Sequence, residues 1–353
     1  MRKFERKQRL LLWLVLIGVC VSLIMPGCKK KMTEAEKSSG KYVIGVLLAY
    51  DSPTSTEVLK AIQVKLEEYQ KMSGEKLELV VQKAHGQLAL LPEQAKQLSR
   101  ESQLLVAIST PALQSAMIAT ENIPIVFSSV ANPYIVRAGR TAVDHNPRVT
   151  GVCSTAPIRQ VLELIKQVRP TVKKVGTIWT PSEINSEYYY ELLKEAALNL
   201  DLEISSQPIS GAQDIVQAVQ TLVRDGIEVL FPVSDNTINA NFNLLGRLAE
   251  ENSLPLFAAF ALGAEFGACA SMGFDFGDIG IKTAEIIIRI KKGESPSRIP
   301  FQYIDRVRFK VNEEAAKKQG IKFPETIIKK ADRLVKFSDQ VENISQATVR
   351  SEG

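Results

Sequence analysis

Apolar positions along the chain follow two alternating periods. Short runs rich in β-branched residues occur at Tyr42 to Leu48, Leu77 to Val81, Leu104 to Ile108 and Ile123 to Phe127. A second set follows at Val175 to Trp179, Leu202 to Ile204, Val229 to Val233 and Leu256 to Phe260. Such runs, bounded by polar or turn-forming residues, predict buried strands. Between them the apolar positions recur at helical spacing. Val58, Ile62, Leu66 and Tyr69 share one face, as do Val161, Leu164, Ile165 and Val168, and Ile215, Val219, Leu222 and Val223. Strands apolar on both sides, alternating with amphipathic helices, predict an α/β protein whose parallel sheets are covered on both faces.

The two sets of strands are separated by the polar stretch "RAGRTAVDHNPRVTG", which predicts two α/β lobes. Farther on, "GACASMGFD" and a helix around Ile281 to Ile290 read as a return of the chain. Residues 338–353 are polar and predict a disordered tail.

In parallel sheets, ligands sit beyond the carboxyl ends of the strands, where loops feed helix N-termini. The loops at those points are "STPALQ", "SSVANP", "TPSEINS" and "SDNTINAN". All are small, polar and rich in hydroxyls or amides. Helix capping alone accounts for one such loop. Four in register, from both lobes, point to a shared site.

The amino terminus changes the reading of charge. Arg2, Lys3, Arg6, Lys7 and Arg9 precede an apolar run from Leu10 to Ile24 that ends at "MPGC". This predicts a secretory signal over residues 1–27, cleaved before a lipid-modified Cys28, with 28–40 as a tether. The alternative is a transmembrane anchor, for which the run is short. Removing the five basic residues and one acidic residue of 1–27 takes the net charge from +5 to +1. The remaining chain of 326 of the 353 residues has no basic footprint for nucleic acid. It suits two lobes better than one core. Cys153 and Cys269 stand among small or apolar neighbours and read as buried free thiols, a disulfide being the alternative in an exported protein.

Signals for catalysis are few. The chain has two histidines, His85 and His145, both read as surface loop residues, and no GxGxxG or GxxxxGK[ST] stretch. No metal or cofactor is expected. Recognition of a small polar molecule fits better. Ser109, Thr110, Ser128 and Ser129 are placed to hold a carboxylate at a helix start, with Ser52 and Asn132 in neighbouring strand-end loops. Asp235 and Glu183 are candidate acceptors for an ammonium, or else helix caps. Tyr50, Trp179 and Phe260 are candidate flat walls for an aromatic group, or else core residues. Tyr188 to Tyr190 lie on one helix and cannot all face one way.

From about Lys41 to Phe337 the chain resembles the substrate-binding lipoproteins of ABC transporters whose members include binders of tryptophan and other aromatic amino acids. "TPA" at Thr110, "PIVFSSVANP" at Pro124, "VTGV" at Val149, "SEINS" at Ser182, "SDN" at Ser234 and "GFDFGDIG" at Gly273 carry the resemblance in order. It implies a two-lobed type I periplasmic-binding-protein fold joined by crossover strands, with residues 41–153 plus 262–297 in lobe I and 154–261 plus 298–337 in lobe II. It puts Thr110, Ser129, Glu183, Asn185, Ser186, Asp235 and Asn236 at the ligand cleft. It implies a monomer that is lipid-anchored outside the cytoplasm, on the periplasmic face or outer cell surface, and serves a permease with a cytoplasmic ATPase. Two departures bear on specificity: "AYDSPTSTEVL" lacks a His-Pro, and Phe276 stands where Tyr is common. A sensing module for a membrane receptor and a secreted enzyme are the alternatives.

Overall fold

A computed structural model describes residues 40–335. The expected signal, Cys28, the tether up to residue 39 and the polar tail lie outside the described residues. Strand β1 (Lys41–Leu48) leads into helix α1 (Pro53–Ser73), which a reciprocal cap starts: the Ser55 N–H donates to Ser52 Oγ and the Ser52 N–H to Ser55 Oγ. Gly74, in the left-handed region, ends the helix. The chain continues through β2 (Lys76–Lys83), α2 (Leu91–Glu101), β3 (Leu104–Ile108), α3 (Thr110–Ala119), β4 (Ile125–Val130) and β5 (Val149–Cys153). These strands form one sheet in the order β2-β1-β3-β4-β5, with β1, β3, β4 and β5 parallel.

Alternation along β1 decides what covers the sheet. Ile44, Val46 and Leu48 belong to one cluster with Val58, Ile62 and Leu66 of α1. Leu47, with Leu105 and Ala107 of β3, belongs to another with Leu91 and Leu98 of α2 and Leu113 of α3.

The second half runs through α4 (Ile158–Val168), β6 (Lys174–Trp179), α5 (Ile184–Leu198), β7 (Glu203–Pro208), α6 (Ile215–Arg224), β8 (Val229–Leu230), α7 (Asn236–Ala240), α8 (Phe242–Glu251) and β9 (Phe257–Ala258). It is completed by β10 (Ala270–Phe274), α9 (Phe276–Lys291), β11 (Val307–Val311), α10 (Glu313–Lys318), α11 (Glu325–Ile328) and β12 (Arg333–Leu334). Strands β7-β6-β8 pair in parallel, and a bridge from Leu230 to Leu256 connects them to the order β9-β10-β11-β12. Within that group β10 and β11 are antiparallel. The chain is therefore α/β, with mainly parallel sheets flanked by helices.

The chain crosses between the halves after β5, between β10 and α9, and again before β11. Two segments sit differently from the sequence expectation. Residues 262–274, expected with lobe I, include β10, which pairs with β9 and β11 in the second sheet. Residues 299–302, expected with lobe II, bond to the edge of the first sheet: the Gln302 N–H donates to Gly151 O, the Cys153 N–H to Gln302 O, and Thr150 Oγ1 to Ile299 O. Helix α9 packs on α1, β4 and β5. Gly280 permits that approach, since a Cβ there would lie 2.5 Å from the Val58 carbonyl oxygen. Cys153 and Cys269 are buried free thiols in different sheets. His145 is half-buried rather than a surface residue, its ring stacked on Phe301 with centroids 4.6 Å apart.

Candidate functional site

A cleft opens where the strands of both sheets end. From the first sheet come Thr54 after β1, Ser109 and Thr110 after β3, Ser129 and Ala131 at β4, and Ser154 after β5. From the second come Asn185 after β6, Ser234 and Asn236 after β8, Phe260 after β9, and Phe274 and Phe276 around the end of β10. Among the described residues, no Asp, Glu, Lys or Arg side chain lines it.

Backbone strain shapes the first wall. Ser109, the residue before α3, has φ 94° and ψ 161°, a region that non-glycine residues rarely occupy. Its side chain makes no cap bond, and its Oγ is buried without a partner among the described residues, in a residue that lines the cleft. Ser129 has φ 54° and sits where the β4–β5 register shifts, so a bulge turns its side chain toward Ser154, 3.3 Å away. Thr110 Oγ1 accepts from the Ala131 N–H at 3.2 Å, tying the two loops together. The first-turn N–H groups of α3 have no intrahelical acceptor, and the helix dipole favours negative charge there.

The second wall is built around two buried carboxylates that do not line the cleft. Asp235 is 1% exposed and starts α7. Its Oδ1 accepts from the Ile238 N–H at 2.7 Å, and its Oδ2 from Ser186 Oγ at 2.7 Å and the Thr180 N–H at 3.1 Å. Burial, and then the charge of Glu183, push its carboxyl well above the usual range, against those three donors. Glu183 is fully buried. Its Oε1 accepts from the Thr237 N–H at 2.9 Å and hydroxyl at 2.7 Å. Its Oε2 accepts from the Asn236 N–H at 3.0 Å, Asn236 Nδ2 at 2.6 Å and Asn185 Nδ2 at 3.3 Å. Both groups hold α7 to the ends of β6 and α5.

The apolar part of the cleft consists of Phe260, Phe274, Phe276, Tyr189, Ala156 and Ala259. Phe260 is held edge-on by Phe242, with centroids 4.8 Å apart. Gly273 sets the Phe260 segment against β10, because a Cβ there would fall 2.4 Å from the Ala261 nitrogen. Tyr189 donates to Ser154 O and accepts from the Ala156 N–H, joining α5 to the crossover segment.

Of the residues singled out in the sequence, Ser109, Thr110, Ser129, Asn185, Asn236 and Phe260 line this cleft. The others are placed elsewhere. Ser128 is fully buried and bonds Thr283 of α9, and Ser52 caps α1. Asn132 Oδ1 accepts from the Tyr134 N–H. Tyr50 lies beside Glu183 and lines a separate surface groove with Asp51 and His85; burial and then Glu183 raise its phenol. Trp179 stacks on Tyr190, centroids 4.5 Å apart, instead of walling the cleft. Thr54, Ser154, Ser234, Tyr189, Phe274 and Phe276 line the cleft without having been chosen as site residues. Most stand at strand carboxyl ends, which is the signal that could have found them.

Comparison with known proteins follows the same lines. Residues 43–335 match the family described as ABC transporter substrate binding protein. The chain is 29% identical over 324 residues to a tyrosine-binding protein of Clostridioides difficile (strain R20291), covering 88% of this chain and 92% of that one. Among solved structures, an ABC domain in complex with L-Trp from Streptococcus pneumoniae is 26% identical with a TM-score of 0.78, over 84% of this chain and all of that one (100%). A ligand-free, open substrate-binding protein with adhesive properties from Clostridium difficile is 28% identical with a TM-score of 0.63, over 84% of this chain and 99% of that one. With the family match spanning nearly all the described residues, this chain belongs to the ABC transporter substrate-binding proteins.

Proposed function

We propose that the chain captures an amino acid, with an aromatic side chain preferred, in the cleft between the two sheets and releases it unchanged to a membrane permease. The polarity of the cleft carries this reading. Its first wall offers donors, from Ser109, Thr110, Ser129 and the start of α3, which suit a carboxylate. Its second wall offers the amides of Asn185 and Asn236 in front of buried carboxylates, which suits an ammonium. Phe260, Phe274 and Phe276 give the remaining part an apolar, flat lining. The relatives support the choice of ligand, one being a tyrosine-binding protein and another holding L-Trp.

Better agreement with the L-Trp complex (0.78) than with the open, ligand-free relative (0.63) fits lobes drawn together over the cleft. The two histidines stand outside the cleft lining, His85 in the separate groove beside Tyr50 and His145 against Phe301. The reading includes extracytoplasmic anchoring through a lipid on Cys28, from the order of basic head, apolar run and Gly27-Cys28. Cys28→Ser is expected to move the protein from membrane to soluble fractions; unchanged membrane association would remove the lipid from the account. The capture reading is tested by denaturing the purified protein and identifying released small molecules by mass spectrometry. One aromatic amino acid is expected. Release of a sugar or another non-amino-acid ligand would overturn it.

A further inference from the structure

We propose that Glu183 is a positioning residue, which turns the amide oxygens of Asn185 and Asn236 into the cleft as paired acceptors for a ligand ammonium. The inference rests on the amino-acid reading above and specifies how the cleft selects that class.

A carboxylate accepts hydrogen bonds and cannot donate them. Any asparagine bonded to it through its side chain must therefore present its NH₂ group. Asn236 Nδ2 donates to Glu183 Oε2 at 2.6 Å and Asn185 Nδ2 donates to the same oxygen at 3.3 Å. An amide is planar with its oxygen on the other branch, so both Oδ1 atoms are turned away from Glu183 in residues that line the cleft. Asn185 is 4% exposed, and its Oδ1 is buried with no partner. No described residue donates to the Asn236 oxygen. Three further donors, the Asn236 N–H and the N–H and hydroxyl of Thr237, occupy the rest of the Glu183 carboxylate. Glu183 is thus committed to the protein.

With no acidic side chain in the lining, an ammonium there meets only neutral oxygens. Its counter-charge stands one hydrogen bond behind, on Glu183. An amide whose NH₂ is bonded to a carboxylate is polarised and accepts more strongly, and a dry site increases the effect. A carboxylic acid without the ammonium would close over Asn185 Oδ1 and leave it unpaired. Sites built to bond a group discriminate strongly against ligands that lack it.

Calorimetric titration of four probes tests this: L-tyrosine, L-tryptophan and their des-amino analogues, 3-(4-hydroxyphenyl)propanoate and indole-3-propanoate. The unsubstituted protein is expected to prefer an amino acid over its analogue by at least about a hundredfold. In Glu183→Gln the new NH₂ can face an asparagine oxygen, so the amides can turn around. The preference is expected to fall by at least about tenfold, with the analogue bound as well as before or better. A purely structural role would weaken both probes together and leave the ratio alone, and that result overturns the inference. If Glu183→Gln does not fold, Asn236→Ala removes one oxygen while keeping its backbone N–H on Glu183. It is expected to cost the amino acid at least about tenfold and the analogue less than about threefold. An unchanged ratio there also overturns the proposal. If the unsubstituted protein binds all four probes alike, the inference fails and capture stands. Binding of none of them removes the amino-acid reading itself.

Discussion

At the scale of single residues, strain and unpaired polarity coincide in the cleft. Ser109 holds a backbone conformation suited to glycine and keeps a buried hydroxyl without a partner. Such strain costs about 1 to 3 kcal/mol and persists where the surroundings hold it. Ser109→Gly should therefore raise the stability of the ligand-free protein by about 1 kcal/mol, or a few degrees in melting temperature. It should also weaken amino-acid binding by at least about threefold, which the same preparation can show by titration. Lower stability in the glycine variant would mean that the hydroxyl supports the fold and not the ligand. The wall around Ser109, Thr110 and Ser129 was legible because hydroxyls at the end of apolar strands stand at the sheet's carboxyl edge, although Ser128 among them turns to Thr283 of α9 instead. Glu183 and Asp235 stand at equivalent points, yet both are turned inward. The direction of a carboxylate at a strand end depends on which N–H groups a distant loop offers, and local spacing does not encode that.

At the scale of elements, the second wall depends on α7, a helix too short to be stable alone. Asp235 fixes it by accepting from its own helix, from Thr180 just after β6 and from α5. Asp235→Ala would leave the Ile238 N–H and the Ser186 hydroxyl short of an acceptor, at about 1 to 3 kcal/mol for each that stays buried, while the Thr180 N–H keeps Ser186 Oγ at 2.9 Å. Relief of the nearby Glu183 charge offsets only part of this. The melting temperature should drop by about 5 °C or more. Affinity in the remaining folded protein should change less than about tenfold. A large loss of affinity at constant stability would return Asp235 to the ligand. The alternation of strands and helices was legible through β1, β3, β6 and β8, whose apolar runs are broken only by the small residues Gly45, Gly176 and Thr177. Strand β10 was not, since "ASMGF" replaces β-branched residues with Ser271 and Gly273 where the Phe260 segment must pass close by.

At the scale of the whole molecule, charges from both halves act on the half-buried carboxyl of Glu57. Glu57 of α1 lies within the electrostatic reach of Asp275 and Asp278 at the start of α9, and of Lys310 and Glu265 of the second half. Burial first, then Asp275, raise its carboxyl to about 7, with Lys310 opposing and Glu265 and Asp278 adding to the rise. The folded protein then binds this proton more tightly than the unfolded chain. The stabilisation is fully present below the ordinary carboxyl range and is lost as pH rises through about 7. Denaturant unfolding should show stability decreasing from about pH 5 to about pH 8, and Glu57→Gln should flatten that slope. An equal slope in the variant would assign the effect to another group.

Titration calorimetry of ligand-stripped protein with L-tyrosine and L-tryptophan, with the ligand re-assayed afterwards, tests capture most directly. Saturable binding of at least one of them is expected at about one site per chain, with Kd of about 10 μM or tighter, and the ligand recovered intact. No binding of either, or conversion of the ligand, would contradict a protein that captures an aromatic amino acid and hands it on.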